Sequence, residues 1–257
     1  ATYNTSLGFQ ALQNLGAGVQ NTIIGSFAGD AITTGDYNVA VGYAALSTED
    51  ANGRNTAIGH ETLKTLNAGA DAYNVAVGYA AGEVMSTGVN NVTIGGFAGD
   101  ALTTGGYNVA VGYAALSTED GHGRNTAIGQ AALSVQNAGA DAYNVAVGYN
   151  AGASVSTGAN NTIIGGQAGD ALTTGSNNVA IGRNALSTED GHGKNVAIGN
   201  STLYTLNAGV DAYNVAVGYE AGYAISTGIE NTIIGGLAGD ALTTGRYNVA
   251  VGMYALS

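Results

Sequence analysis

A five-residue motif, Asn-x-x-(Val/Ile/Leu)-Gly, runs through the whole chain and constrains its fold more than any other feature. The motif occurs 15 times, and its asparagines are spaced 17, 17, 17 and 19 residues apart before the same spacing begins again. Four motifs therefore form a 70-residue superrepeat, with copies that start at Asn4, Asn74, Asn144 and Asn214. Because no motif is missing, we predict a single repetitive domain over residues 1–257, with no linker.

The length of the repeat separates the candidate folds. Helical repeats need about 33 residues or more and a propeller blade needs about 40, so a unit of 17 to 19 residues holds neither. In the unit that begins at Asn38, Val39 and Val41 alternate with Ala40, which is the period of a β-strand, and Gly42 follows. We predict an all-β fold, a parallel β-solenoid (β-roll) of about 15 coils. At about 4.8 Å per coil, such a rod is roughly 70 Å long.

Equivalent residues of stacked coils lie above one another, which gives the motif residues structural roles. We expect the asparagines to form a hydrogen-bonded ladder and the glycines to occupy corners that need positive φ or close backbone approach. Counting from the asparagine, we expect the residues at +1 and +3, with the small residue at +7, to point inward. The ladder residues predicted in this way include Asn38, Gly42, Asn55, Gly59, Asn74, Gly78, Asn108, Gly112, Asn144 and Gly148.

Charge and composition exclude several functions. Only 9% of the residues are charged, and the net charge of −12 argues against nucleic acid and against anionic membrane surfaces, which both attract clustered Lys and Arg. No apolar run reaches the length of a membrane span, so none is predicted. The absence of cysteine fits an extracellular, cell-surface or virion protein. Proline would remove ladder hydrogen bonds, and the chain has none.

Two rows of tyrosines are predicted on the surface of the solenoid. Continuous aromatic stripes usually mark contact sites, so we predict a homo-oligomer, with a trimer around the rod axis as the first expectation. Neither end of the chain shows a polar capping coil, which indicates a slice of a longer shaft or a unit that stacks end to end. The alternative is a monomeric rod whose tyrosines cover its own edges. The predicted oligomer contacts are Tyr43, Tyr79, Tyr113, Tyr149 and Tyr219, and the second row contains Tyr37, Tyr73, Tyr107, Tyr143, Tyr213 and Tyr247.

One acidic loop is the main candidate for metal chemistry. Glu119, Asp120 and His122 recur as Glu189, Asp190 and His192, and carboxylates with imidazole are ligands for Ca²⁺ or a transition metal. These copies lie four coils apart and cannot share an ion within one chain, so a purely structural loop is the favoured interpretation. We predict no cofactor, with Ca²⁺ as the alternative. There is no cysteine and no Ser-His-Asp set on a nucleophile elbow, so no enzyme is predicted.

The motifs themselves resemble those of known fibrous proteins. Residues 38–42 (NVAVG) and 55–59 (NTAIG) are similar to the head repeats of trimeric autotransporter adhesins of the YadA type and to the NTAIG repeats of phage tail fibres. The resemblance covers the whole chain, although the unit is longer than the typical adhesin unit. It implies a left-handed β-roll, three chains per fibre and a role in attachment.

Three functions are consistent with these features. The first is a structural fibre shaft of a surface appendage or virion that supports attachment. The second is an adhesin head that binds glycan or matrix, or another surface receptor, through its exposed tyrosines. The third is the subunit of a self-assembling extracellular filament.

Overall fold

The computed structural model describes residues 1–257 and consists of short parallel strands joined by turns. Each coil contributes one strand of three residues: β1 (Thr5–Leu7), β2 (Thr22–Ile24), β3 (Val39–Val41), β4 (Thr56–Ile58), β5 (Val75–Val77), β6 (Val92–Ile94), β7 (Val109–Val111), β8 (Thr126–Ile128), β9 (Val145–Val147), β10 (Thr162–Ile164), β11 (Val179–Ile181), β12 (Val196–Ile198), β13 (Val215–Val217), β14 (Thr232–Ile234) and β15 (Val249–Val251). The predicted parallel β-solenoid is thereby confirmed. No helix is present that could cross a bilayer.

The chain divides into two compact units, Ala1–Asn125 with β1 to β7 and Thr126–Ser257 with β8 to β15. Within each unit, every strand pairs in parallel with the next strand along the chain. The single uninterrupted shaft, its handedness and its oligomeric state stay predictions.

The strands keep their register even where the spacing changes. Thr22 pairs with Val39 across a 17-residue coil, and Thr56 pairs with Val75 across a 19-residue coil. The two extra residues of the longer coil lie between the buried residues Leu66 and Ala72, outside the strands. The insertion therefore forms a loop, and the ladder of strand hydrogen bonds continues past it.

The predicted inward face of the strands is wrong. The central strand residue at +2 is buried, as at Ile23, Ala40 and Ala57, whereas the flanking residues at +1 and +3 are partly or fully exposed. The asparagine that precedes each strand explains this parity. Side chains alternate along a strand, and because Asn38 is buried at position 0, the next inward residue is at +2. The small residue at +7 is buried as predicted.

The core is thin, and in several coils a large side chain at one position is accompanied by a small residue at a neighbouring position. Where +2 is Ile23, position +8 is Gly29, and a Cβ added there would lie 3.2 Å from the Ile23 Cδ1 atom. Where +2 is the smaller Ala40, position +8 is the buried Leu46. Interiors pack close to crystal density, so each coil has room for only a few large side chains. Where +2 is alanine and +8 is still glycine, as at Gly82, the large neighbour is Leu63 of the preceding coil, whose Cδ2 atom would lie 2.9 Å from an added Cβ.

Each coil also contains left-handed residues that the sequence did not reveal. In the coil of β3, Tyr37, Ala44 and Leu46 have φ of 58°, 50° and 54°. This conformation costs a residue other than glycine roughly 1–2 kcal/mol. Hydrogen bonds between coils hold it: the Tyr37 amide donates to the Val19 carbonyl at 3.1 Å, and the Ala44 amide donates to Ser26 at 3.0 Å. Stacking therefore stabilises a backbone that the isolated coil would not adopt.

Candidate functional site

The most extensive functional candidate is the outer face of the strands, here called the sheet face and formed by the residues at +1 and +3 of each coil. These positions contain only Val, Ile, Leu and Thr throughout the chain. In the first unit, Ile58 and Ile94 are 38% and 37% exposed, and Ile128, Ile164 and Ile234 are similarly exposed in the second. In each unit, a partly exposed apolar surface without a single charge usually contacts another molecule.

The asparagine ladder lies directly beneath the edge of this face. The Asn38 backbone amide donates to the Asn21 Oδ1 atom at 2.9 Å, and the Asn21 Nδ2 atom donates to the Gly35 carbonyl at 2.8 Å. Each side chain thus joins its own coil to the next. Other ladder residues repeat this pattern. The backbone amides of Asn55 and Asn108 each donate to the side-chain oxygen of the asparagine in the preceding coil. The ladder is built mainly from side-chain to backbone bonds, with direct bonds between asparagine side chains at some steps. These bonds satisfy otherwise orphaned buried groups.

The predicted corner glycines share one backbone conformation. Gly42, Gly59, Gly78, Gly112 and Gly148 all have φ between 134° and 142°. The backbone of the following coil approaches each of Gly42, Gly59, Gly78 and Gly148 too closely for a side chain to fit. A positive φ and a close backbone approach, which were expected as alternatives at the corners, therefore occur together at these four glycines.

A row of seven aromatic rings runs along the first unit. Neighbouring ring centroids are 5.0 to 5.9 Å apart. Its members come from positions +5 and +6, so the tyrosine row predicted at +5 is only part of it. Successive rings are those of Phe9, Phe27, Tyr43, His60, Tyr79, Phe97 and Tyr113.

The second unit lacks the residues for such a row, because neither +5 nor +6 is aromatic in the coils that contain Gln130, Gln167, Arg183 and Asn200. Tyr149 and Tyr219 are nevertheless exposed there, as Tyr43, Tyr79 and Tyr113 are in the first unit. Their contact with a second copy stays a prediction.

The row of residues that precede the asparagines contains three cations, Arg54, Arg124 and Lys194, and their neighbours in the row are mostly tyrosines. The Arg54 guanidinium lies 5.1 Å from the Tyr37 ring centroid and 5.5 Å from that of Tyr73, and its Nε atom is 2.6 Å from the Asp71 Oδ2 atom. Lys194 in the second unit lies over Tyr213 and is 2.8 Å from Asp211. These exposed pairs contribute little to stability, but they hold the long side chains against the tyrosines.

The acidic loops contain fully buried glutamates. Glu49, Glu119 and Glu189 stand at +11, a position that is apolar in most coils, and each is fully buried. The structure brings the donor atoms of Glu119, Asp120 and His122 within 4.8 Å of one another, and does the same for Glu189, Asp190 and His192. Burial raises the pKa of both Glu49 and Glu189. Sequence analysis found these residues but not their burial, although the position of the glutamate in the apolar +11 row was the signal.

Because Glu49 is buried, we predict that the free energy of unfolding of the chain depends on pH. Its Oε1 atom accepts from the Asn52 amide at 3.2 Å, while its buried Oε2 atom has no hydrogen-bond partner. Because burial raises its pKa, the folded state binds this proton more tightly than the unfolded state does, and the free energy of unfolding falls as pH rises from about 4.5 through the raised pKa. We expect Glu49→Gln to melt at a higher temperature than the unmodified chain at pH 7, with the difference shrinking toward pH 4.5.

Glu61→Gln is a control whose expected effect on the melting temperature has the opposite sign. The hydrogen bond from Lys64 lowers the pKa of Glu61, so Glu61→Gln should lower the melting temperature at pH 7 and lose this effect in acid. Melting curves followed by circular dichroism over this pH range test both substitutions. Identical curves for Glu49→Gln and the unmodified chain at every pH would refute the role of Glu49.

No protein-family model matches the chain, and neither a curated protein nor a solved structure is significantly similar to it. No pocket opens on its surface. The sheet face, the aromatic rows and the acidic loops are therefore the features on which a functional proposal rests.

Proposed function

We propose that the chain is a non-catalytic structural shaft of an extracellular appendage or virion, in which three copies associate side by side through the sheet face to support attachment. The uncharged, exposed sheet face carries this proposal. The number of copies and the attachment role rest on the resemblance of the NVAVG and NTAIG motifs to trimeric adhesin heads and tail fibres.

Burial of this face provides the driving force for association. Covering a side chain that is about one-third exposed, such as Ile58, contributes roughly 0.5–1 kcal/mol, a third of the value for complete burial. The contribution recurs at every coil, so a weak gain per residue adds up along the solenoid. Because +1 and +3 contain no charge in any coil, no ion has to be desolvated when two such faces meet.

The oligomeric mass tests this proposal. We expect light scattering after size exclusion to give the mass of three chains for the unmodified protein. Ile58→Lys combined with Ile94→Lys places two charges on the sheet face and should yield monomers with an unchanged β-type circular dichroism spectrum. Val84→Lys is the matched control, because Val84 is 42% exposed but lies outside the strands, and this variant should remain trimeric.

A monomeric unmodified chain, or a double variant that keeps its trimeric mass, would refute association through the sheet face. Long unbranched filaments in electron micrographs would instead favour the filament subunit.

The aromatic row of the first unit favours an adhesin head as the second candidate. Tyr43 and Tyr79 are each about half exposed, and their rings lie on either side of His60 in a stacked arrangement. Exposed aromatic edges next to one another offer both apolar contact and hydroxyl groups, which suits glycan or matrix components. Binding of a glycan array by the trimer, lost in a variant with Tyr43→Ala and Tyr79→Ala, would distinguish this function from a passive shaft.

A further inference from the structure

The acidic loop of the second unit is covered by the insertion that lengthens the next coil. Residues 207–211 follow the last apolar residue of the 19-residue coil and lie against residues 189–193 of the preceding coil. The Ala208 amide approaches the Glu189 Oε2 atom at 3.4 Å, and the Gly193 amide donates to the Asp211 Oδ1 atom at 3.1 Å. The superrepeat departs from 17 residues only here, next to its acidic loop.

Glu189 is a carboxylate at a core position. The equivalent residues of the adjacent coils are Leu172 and Leu206, and all three side chains are fully buried. A buried charge is costly unless a counter-charge accompanies it. The nearby cation Lys194 does not serve Glu189, because its Nζ atom is bound by Asp211 and by the Tyr213 hydroxyl, each at 2.8 Å. A cation bound beside Glu189 would therefore stabilise its charged form.

The imidazole of His192 faces this carboxylate at a distance typical of two ligands of one metal ion. Its Nδ1 atom is buried, has no hydrogen-bond partner and lies 3.5 Å from the Glu189 Oε1 atom. A direct hydrogen bond would be shorter, at about 2.7–3.2 Å. Two atoms that each bind zinc at about 2.0–2.1 Å with tetrahedral geometry are separated by roughly 3.4 Å. Asp190 also belongs to this cluster, because one donor atom each of Glu189, Asp190 and His192 lies within 4.8 Å of the other two.

We propose that Glu189, Asp190 and His192 bind a divalent transition-metal cation of the Zn²⁺ type, and that Glu119, Asp120 and His122 form a second site of the same kind. An imidazole with two carboxylates favours such an ion over Ca²⁺ or Mg²⁺, which prefer oxygen ligands alone. In the second copy, the His122 Nδ1 atom is also buried without a hydrogen-bond partner, 3.9 Å from the Glu119 Oε1 atom. A dication bound in this way would offset the cost of burying the charge of Glu189.

The first loop in the chain, that of Glu49, has no histidine and uses a hydrogen-bonding amide instead. Asn52 replaces the histidine there, and in the orientation that satisfies its neighbours its side-chain oxygen accepts from the Gly69 and Ala70 amides, each at 3.2 Å. The amide thus joins the loop to the insertion of the next coil. We therefore assign no cation to the loop of Glu49, and asparagine is the natural substitution with which to remove the other two sites.

Isothermal titration of the full chain with ZnCl₂ tests the proposal. We expect two zinc ions per chain, one for His192→Asn, and none for His122→Asn combined with His192→Asn. Glu189→Gln keeps an acceptor for the His192 amide but removes the charge, so it should weaken zinc at its own site by at least about tenfold. His60→Asn is the control, because His60 stacks between Tyr43 and Tyr79 and should leave both sites intact.

A variant that gains a zinc site complements these substitutions, because a gain of binding cannot result from unfolding. Ala51→Gly with Asn52→His converts the first loop to the sequence of the others and should raise the stoichiometry to three. Zinc should also raise the melting temperature of the unmodified chain but not that of the double histidine variant. Absence of zinc binding at millimolar concentration, or binding that the double variant retains, would overturn the proposal and leave at most an adventitious surface ion.

Discussion

Replacing Gly42 with valine is expected to unfold the coils around β3 at a much lower denaturant concentration. Gly42 has φ of +139°, which side chains rarely adopt. A Cβ atom there would lie 2.6 Å from the Gly59 carbonyl carbon and closer still to its oxygen, both of which are backbone atoms. The strained φ costs roughly 1–3 kcal/mol and the overpacking a similar amount, so we expect a loss of roughly 3 kcal/mol or more.

Gly236→Ala is the matched control for this substitution. Gly236 is outside the left-handed region, and a Cβ atom there would meet nothing within 4 Å. Its free energy of unfolding should therefore change by no more than about 0.5 kcal/mol. Since a solenoid can unfold in parts, hydrogen exchange of the Gly42 and Gly59 amides should accompany denaturation followed by circular dichroism. Equal effects of the two substitutions would show that the corner does not require glycine.

Replacing Asn91 with alanine is expected to have the second largest effect. The buried Asn91 side chain accepts from the Asn108 amide at 2.9 Å and donates to the Gly105 carbonyl at 2.8 Å. Alanine leaves both groups without their partner. Each unsatisfied buried group costs about 1–3 kcal/mol, so the free energy of unfolding should fall by roughly 2–5 kcal/mol.

Asn67→Ala provides the comparison, because Asn67 is exposed in the insertion of the 19-residue coil that begins at Asn55. We expect it to change the free energy of unfolding by less than about 0.5 kcal/mol. Denaturant titration of both variants measures the difference. If Asn91→Ala unfolded at the same denaturant concentration as Asn67→Ala, the ladder would be dispensable for stability.

The candidate surfaces could be predicted only in part. The tyrosines at +5 and the residues of the acidic loops were found from their recurrence. The sheet face was missed because Val39 and Val41 were expected to point inward, whereas they are only half buried. The inclusion of Phe27 and Phe97 in the aromatic row also escaped, because left-handed residues at +6 bring them beside the rings at +5.

The repeat period was enough to specify a parallel β-solenoid, the number of its coils, the asparagine ladder and the glycine corners. These follow from the sequence because stacking equivalent residues imposes the same local geometry on every coil. Tertiary structure decided which strand face is inward and which carboxylates are buried. Both depend on contacts between coils: the inward turn of Asn38 sets the parity of β3, and the insertion at 207–211 covers Glu189. Such contacts join residues about one coil apart, so no local pattern within a single repeat could reveal them.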